Sequence, residues 1–170
     1  SKITKPKIIY ISKLTFNKGA DHIYKLVKSD KFKNLIYIYG SGVYEKKFKK
    51  LKKKNIKLSN LFIKPINYFD QNTIVLCPSR YEGFGRILAE ALIKKSKVIA
   101  SDIPAHKEIK LICSRLKNFN LLNFSDTKKV ILKIEKFLKL KSNNNFDLKL
   151  EEIVDPRKHT KKMIKVYEKL

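Results

Sequence analysis

Apolar residues in this chain fall into two alternating patterns. Residues 7–12 (KIIYIS), 35–39 (LIYIY), 61–63, Thr73–Cys77, 97–100 and Phe119–Leu122 form short, nearly continuous apolar runs. Such runs predict strands buried on both faces, as in a parallel sheet. Between them the spacing becomes helical. Ile23, Leu26 and Val27 share one face; a Lys-rich helix ends near residue 54; a brief irregular or helical piece covers 66–72; and a helix opens at Gly85 and runs to about 95. Another helix opens over Pro104–Ile112. Asp126 is placed to cap a helix running to about 141, with Val130, Ile131, Ile134, Phe137 and Leu138 as its apolar stripe. Polar residues 142–149 read as a linker, and Pro156 begins a last helix, 156–170, with Met163, Ile164 and Tyr167 on one side.

This alternation predicts an α/β domain: a doubly wound, Rossmann-like parallel sheet with helices on both faces and right-handed crossovers. Ligands in such sheets lie outside the carboxyl ends of the strands. The loops at 12–19, 40–42, 64–67, 78–85 and 101–104 are therefore expected to gather at one edge.

The stretch 78–108, PSRYEGFGRILAEALIKKSKVIASDIPAHKE, carries the chemistry. A strand runs into Glu82-Gly83-Phe84-Gly85 and then directly into a helix bearing Glu90. The first N–H groups of that helix have no internal partner and its dipole is positive at that end, so the turn suits a phosphate. Gly83 and Gly85 let backbone approach such a ligand, and two carboxylates nearby accept hydrogen bonds from a polyhydroxylated molecule. Phosphate plus hydroxyls suggests a nucleotide sugar. Gly40 and Gly42, at a strand end, are read as shaping the pocket floor. His22, His106 and His159 show no metal spacing and are expected at the surface; no Asp-x-Asp pair offers to hold a metal-bound diphosphate.

At 170 residues the chain fits one domain. Its formal charge of +25 raises nucleic acid as a partner, yet Arg stands only at 80, 86, 115 and 157. Arg is the usual choice for bidentate phosphate and base recognition, so a nucleic-acid module is the disfavoured alternative. The Lys excess fits the coding bias of an AT-rich genome or attraction to an anionic membrane surface. Cys77 and Cys113 lack metal or redox spacing and read as thiols in a reducing compartment. No apolar run approaches a membrane span and SKITKPK has no signal-peptide core, which predicts a cytoplasmic location, with peripheral attachment at the inner membrane face left open.

The ordered segments ISKLTFNKG, IYIYGSG, CPSRYEGFGRILAEAL and KVIASDIPAHKE resemble the C-terminal, donor-binding half of retaining glycosyltransferases of family 4, of GT-B fold. The family signature, Glu, seven residues, then Glu, is matched by Glu82 and Glu90. The resemblance implies that Glu82 faces the transferred sugar and that Glu90 holds the nucleotide ribose. It implies that Lys13 and Lys18 neutralise the donor diphosphate without a metal or other cofactor. The donor-binding set it implies is Ser12, Gly40, Gly42, Gly83, Phe84, Gly85, Arg86, Ile87 and Glu90. It further implies a hexosyltransferase type of enzyme using a nucleoside diphosphate sugar for a bacterial surface glycan, with the acceptor bound by an N-terminal domain outside this chain. The isolated domain is then expected to be inactive. Lys13 stands where Arg is usual, Ser12 where Gly is usual, and the segment 64–74 is shorter than its counterpart. A nucleotide-sugar epimerase of the same fold is a rival that the Glu82–Glu90 spacing argues against.

Overall fold

A computed structural model of the chain describes residues 5–32, 35–51, 56–57 and 65–140. The strand expected at 61–63, the linker 142–149, the helix 156–170 and His159 lie outside these residues. The elements are β1 (Lys7–Ile11), α1 (Ala20–Lys28), β2 (Ile36–Tyr39), α2 (Glu45–Lys50), β3 (Ile56–Lys57), a 3₁₀ turn at Pro65–Tyr68, β4 (Thr73–Cys77), α3 (Arg86–Ile93), β5 (Lys97–Ser101), α4 (Pro104–Ile112), β6 (Phe119–Leu122) and α5 (Thr127–Lys139). The Asp126 carboxylate accepts from the Lys129 N–H at 3.0 Å, the expected cap of α5.

All six strands are parallel, in the order β3-β2-β1-β4-β5-β6. The third strand is the pair Ile56–Lys57, beside Ile38 and Tyr39 of β2. Each central strand is apolar on both faces because both are covered. Ile8 and Tyr10 of β1, Ile74 and Leu76 of β4 and Ile99 of β5 form one core with α1, α2 and α5, through Ile23, Leu26, Phe48, Val130, Ile134 and Phe137. Ile9 and Ile11, Val75 and Cys77, and Val98 and Ala100 form the other with α3 and α4, through Leu88, Ala89, Leu92 and Ile109. Full burial of each such side chain contributes roughly 1.5–3 kcal/mol. Two separate cores on one sheet make this the doubly wound arrangement the alternation predicts. No helix among the described residues is long and apolar enough to cross a membrane.

The strand order reverses between β1 and β4. The chain leaves β1 for α1 on one face and leaves β4 for α3 on the other, so the two exit loops part at the carboxyl edge. Behind this opening they touch. Gly19, in the left-handed region at φ 71°, abuts Pro78, and a side chain there would overlap the Pro78 carbonyl.

Gly19→Ala is therefore expected to lower stability by at least ~1–2 kcal/mol, the cost of left-handed backbone in an L-residue, before any clash is counted. The urea-denaturation midpoint reports it. An unchanged midpoint would show that the loops do not meet at Gly19.

Candidate functional site

The parted loops bound a cleft of about 270 Å³. Its floor is the end of β1 (Tyr10, Ile11, Ser12) and of β4 (Leu76, Cys77, Pro78); its walls include Lys18, Glu82, Phe84, the first turn of α3 and His106. Lys18 Nζ lies 2.7 Å from Glu82 Oε1, with the side chains 29% and 22% exposed. Ser79 Oγ donates to the same Glu82 oxygen at 2.8 Å. Below, the buried Tyr10 hydroxyl faces the carbonyls of Lys18 at 3.0 Å and Lys13 at 3.3 Å, tying both ends of the loop to the strand. Burial pushes the Tyr10 phenol well above its ordinary value, and likewise the Cys77 thiol, so both stay neutral.

α3 begins at Gly85, φ 84°, and no side chain caps it. No cap from Gly85 thus satisfies its first amides, and its first turn lines the same cleft as Lys18. The His106 ring fills the space where a side chain at position 85 would lie, its Cδ2 3.1 Å from that point. His106 is 1% exposed, and its Nδ1 lies 2.9 Å from the Ser101 carbonyl. A carbonyl only accepts, so Nδ1 carries the proton. Burial lowers the His106 pKa, over the opposing effect of that bond, and the ring is neutral at physiological pH. Ser101 Oγ in turn donates to the Ser79 carbonyl, so β5 and α4 buttress the loop that carries Glu82.

Glu90 stands one turn along α3 from Arg86. Its side chain is 14% exposed, its Oε1 is 3.9 Å from Arg86 Nη2, and its Oε2 is buried without a hydrogen-bond partner among the described residues. Burial raises its pKa, only partly opposed by Arg86, which is itself 82% exposed.

Of the residues singled out in the sequence, Ser12, Lys18, Glu82, Phe84, Gly85, Arg86 and Ile87 meet at the cleft. Gly83 adjoins Glu82 with open space around its α-carbon. Lys13 is exposed on the loop and does not line the cleft, and neither do Gly40, Gly42 and Glu90. Gly40 lies behind the loop after β1, against the Ser12 carbonyl, and Gly42 lies against the Leu14 backbone; both support the loop from outside the cleft.

Two further expectations are corrected, besides that of Gly40 and Gly42 as pocket floor. His106 is buried against Gly85, because a neutral imidazole fills the gap a glycine leaves while its N–H is satisfied by Ser101. His22 is drawn inward by Arg80, its Nε2 2.8 Å from Arg80 Nη2. Sequence reasoning also passed over Arg80, which grips the Asp21 carboxylate with both nitrogens, at 2.7 and 2.8 Å. Its signal was its rarity: in a Lys-rich chain, each Arg is a candidate for a place where the planar fork has a use, and at Arg80 it does.

A family model described as glycosyl transferases group 1 matches residues 1–152. An uncharacterized 41.2 kDa protein in the cps region of Klebsiella pneumoniae is 30% identical over 132 residues, covering 75% of this chain and 35% of that protein. Among solved structures, a mutant of S. aureus TarM, in complex with fondaparinux, alpha-GlcNAc-glycerol and UDP, is 24% identical with TM-score 0.67, over 99% of this chain and 36% of that one. The pneumococcal O-GlcNAc transferase GtfA, in complex with UDP and GlcNAc, is 20% identical with TM-score 0.69, over 96% and 35%. The catalytic domain of cholesterol-alpha-glucosyltransferase from Helicobacter pylori is 17% identical with TM-score 0.57, over 91% and 97%. The chain thus spans about a third of the Klebsiella protein and of the first two solved chains.

Glu90 supports a prediction that needs no ligand. A buried acid with a raised pKa binds its proton more tightly in the folded state, so its cost to stability appears as pH rises through that pKa and is fully present above it. Glu90→Gln is expected to raise the melting temperature at neutral pH, and the gain should vanish below the ordinary Glu range, where the wild-type carboxyl is protonated in both states. Thermal unfolding across pH 4 to 8 (roughly the span between the unperturbed carboxylate and neutrality) measures it; a variant less stable than wild type throughout would contradict the burial of an uncompensated charge.

Proposed function

This chain belongs to the glycosyl transferases group 1 family, and from that premise we propose that it is the donor-binding part of a retaining, metal-independent glycosyltransferase of hexosyltransferase type. In this reading it is the C-terminal domain of a two-domain enzyme, and the acceptor is bound by an N-terminal domain. The observation that carries the reading is the juxtaposition in one cleft of an ammonium (Lys18), an uncapped helix N-terminus (α3) and a carboxylate (Glu82). Cation and helix terminus suit a diphosphate; the carboxylate suits sugar hydroxyls. Glu90 Oε2, without a partner among the described residues, suits a ribose diol further along the same helix. The UDP in the TarM and GtfA structures makes UDP the first nucleotide to try.

Chemically, the bond from the anomeric carbon to the diphosphate oxygen breaks with its electron pair going to the leaving group. An acceptor hydroxyl bonds to the same face of that carbon, and its proton passes to the departing phosphate. Charge grows on the diphosphate as the bond lengthens, and Lys18 and the α3 amides stand ready to stabilise it. Lys13, exposed at the rim, adds long-range attraction. Lys18 is paired with Glu82, so in this reading a donor exchanges that partnership for one in which Lys18 turns to phosphate and Glu82 to sugar. Neither group is left unpaired. A relative from a cps region supports a role in surface-glycan synthesis, at the cytoplasmic face, where the Lys excess favours contact with anionic lipid.

Lys18→Ala is expected to weaken UDP binding by ~1.5–3 kcal/mol, the range for a hydrogen bond to a charged group, with the exposed Lys28→Ala as control. Equal small losses at both positions would show that bulk charge alone attracts the nucleotide. Glu82→Gln separates the parts of the donor: by releasing Lys18 it is expected to tighten free UDP while weakening the UDP-sugar, as read by calorimetric titration with the matched pair. Parallel losses for both ligands would remove Glu82 from the sugar.

Chelation provides an independent check. UDP binding by this chain, and sugar transfer by the whole enzyme, are expected to be unaffected by EDTA, whereas the chain alone should transfer none. Transfer abolished by EDTA and restored by Mg²⁺ would overturn the metal-independent reading, and robust transfer by the chain alone would overturn the two-domain one.

A further inference from the structure

Arg80 lies two residues before Glu82 and outside the cleft, yet nearly everything it touches belongs to the segment that carries Lys18. Its guanidinium makes a bidentate pair with Asp21, at 2.7 and 2.8 Å, and Nη1 also donates to the Phe16 carbonyl at 2.6 Å. Nη2 lies 2.8 Å from His22 Nε2, and the guanidinium carbon stacks 3.7 Å from the centre of the Phe16 ring. The Arg80 backbone N–H donates to the Asn17 carbonyl at 2.8 Å. Residues 16, 17, 21 and 22 are thus gripped from one point, with Lys18 between them.

An exposed ion pair ordinarily contributes little, because two long side chains must be ordered to make it. Here one side chain closes several contacts together, and the Asp21 carboxyl shows the effect: burial works to raise its pKa, but its hydrogen bonds to Arg80, together with the charges of His22 and Arg80 and a backbone hydrogen bond, hold it below the usual range. The loop is then fixed from two sides. The Tyr10 hydroxyl binds it from beneath, through the Lys13 and Lys18 carbonyls, and Arg80 binds it from the rim. The 2.7 Å hydrogen bond in the Lys18–Glu82 pair is lost on a relative shift of the loops of about an ångström, and Arg80 is what opposes that shift across the rim.

We infer that Arg80 is a positioning residue for the donor site: by clamping residues 16–22 to its own loop it sets the spacing of Lys18 and Glu82 that diphosphate and sugar require. The inference rests on the donor-site reading above. It assigns the work to the fork and the flat face of Arg, so Lys at this position does not replace it.

A double-mutant cycle tests it, with UDP and inorganic pyrophosphate as probes, the second reporting on the diphosphate subsite independently of any base. Lys18→Ala is expected to weaken both probes roughly tenfold to a hundredfold, and Arg80→Ala roughly tenfold. Arg80→Ala in the Lys18→Ala background should cost no more than about twofold further, since a residue acting through Lys18 has nothing left to position. Arg80→Lys should behave like Arg80→Ala. Asp21→Asn, which keeps the shape of the partner, should reproduce the pattern and serves as the cycle if Arg80→Ala fails to fold. Multiplying losses, rescue by Lys, or a lowered melting temperature with unchanged affinity would each overturn the inference while leaving the donor site in place. Lys18→Ala no worse than Lys28→Ala, or no binding of either probe to the wild-type chain, would overturn the donor-site reading itself and the inference with it.

Discussion

The reversal of strand order between β1 and β4 is the constraint on which the site depends. Adjacent parallel strands whose following helices pack on opposite faces have exit loops that diverge, so neither backbone closes the gap over the strand ends. What lines that gap is dictated by which residues come immediately after the two strands: Ser12 to Gly19 on one side, Pro78 to Gly85 on the other. Tolerance there is narrow. Behind the cleft the loops are held by contacts too close for a side chain, Gly19 on Pro78 and Gly40 on the Ser12 carbonyl, while Tyr10 ties the floor to the first loop.

Within this frame Lys18 is placed differently from the exposed lysines among the described residues. Charges on exposed lysines are screened by solvent and salt and act together as a diffuse field. Lys18 is partly buried, its main-chain carbonyl is bonded from below, and its ammonium meets a carboxylate whose other contact, Ser79, is fixed by β5. A fixed charge in a partly desolvated cleft interacts more strongly with an incoming anion than a mobile one in water. Outside the cleft, α3 carries a cost. Glu90 buries a carboxylate oxygen without a partner among the described residues, which costs stability once the carboxyl is charged.

Most of the fold was legible because the strands are buried on both faces, which leaves a continuous apolar run no helix of that length would need. Thr73–Cys77 and Phe119–Leu122 fall where the runs predict them, as does the Asp126 cap. Strand β3 was not legible: Ile56–Lys57 is a two-residue edge pairing within a Lys-rich stretch, too short to have a period. The site divided in the same way. Glu82, Gly85 and Lys18 could be read because their placement depends on local geometry at a turn. Gly40 and Gly42 gave a sequence signal of the right kind and the wrong place, since a glycine required by close approach looks the same whether it faces a ligand or another loop. His106 and Arg80 were hidden because the contacts that define them are tertiary; Arg80 and Asp21 are 59 residues apart.

The scarcity of arginine sharpens this last point. Where a bare positive charge is enough, this chain uses Lys. The described arginines then divide by what they touch. Arg86 is almost fully exposed and only 3.9 Å from Glu90, and Arg115 is exposed beyond α4; for neither does the structure show use of the planar fork. At Arg80 each feature that separates guanidinium from ammonium is in use: two parallel bonds to one carboxylate, a further donor to a carbonyl, and a flat face against Phe16. In a chain so biased toward lysine, the demand for geometry rather than charge falls on the residue that joins the two loops, outside the cleft they enclose.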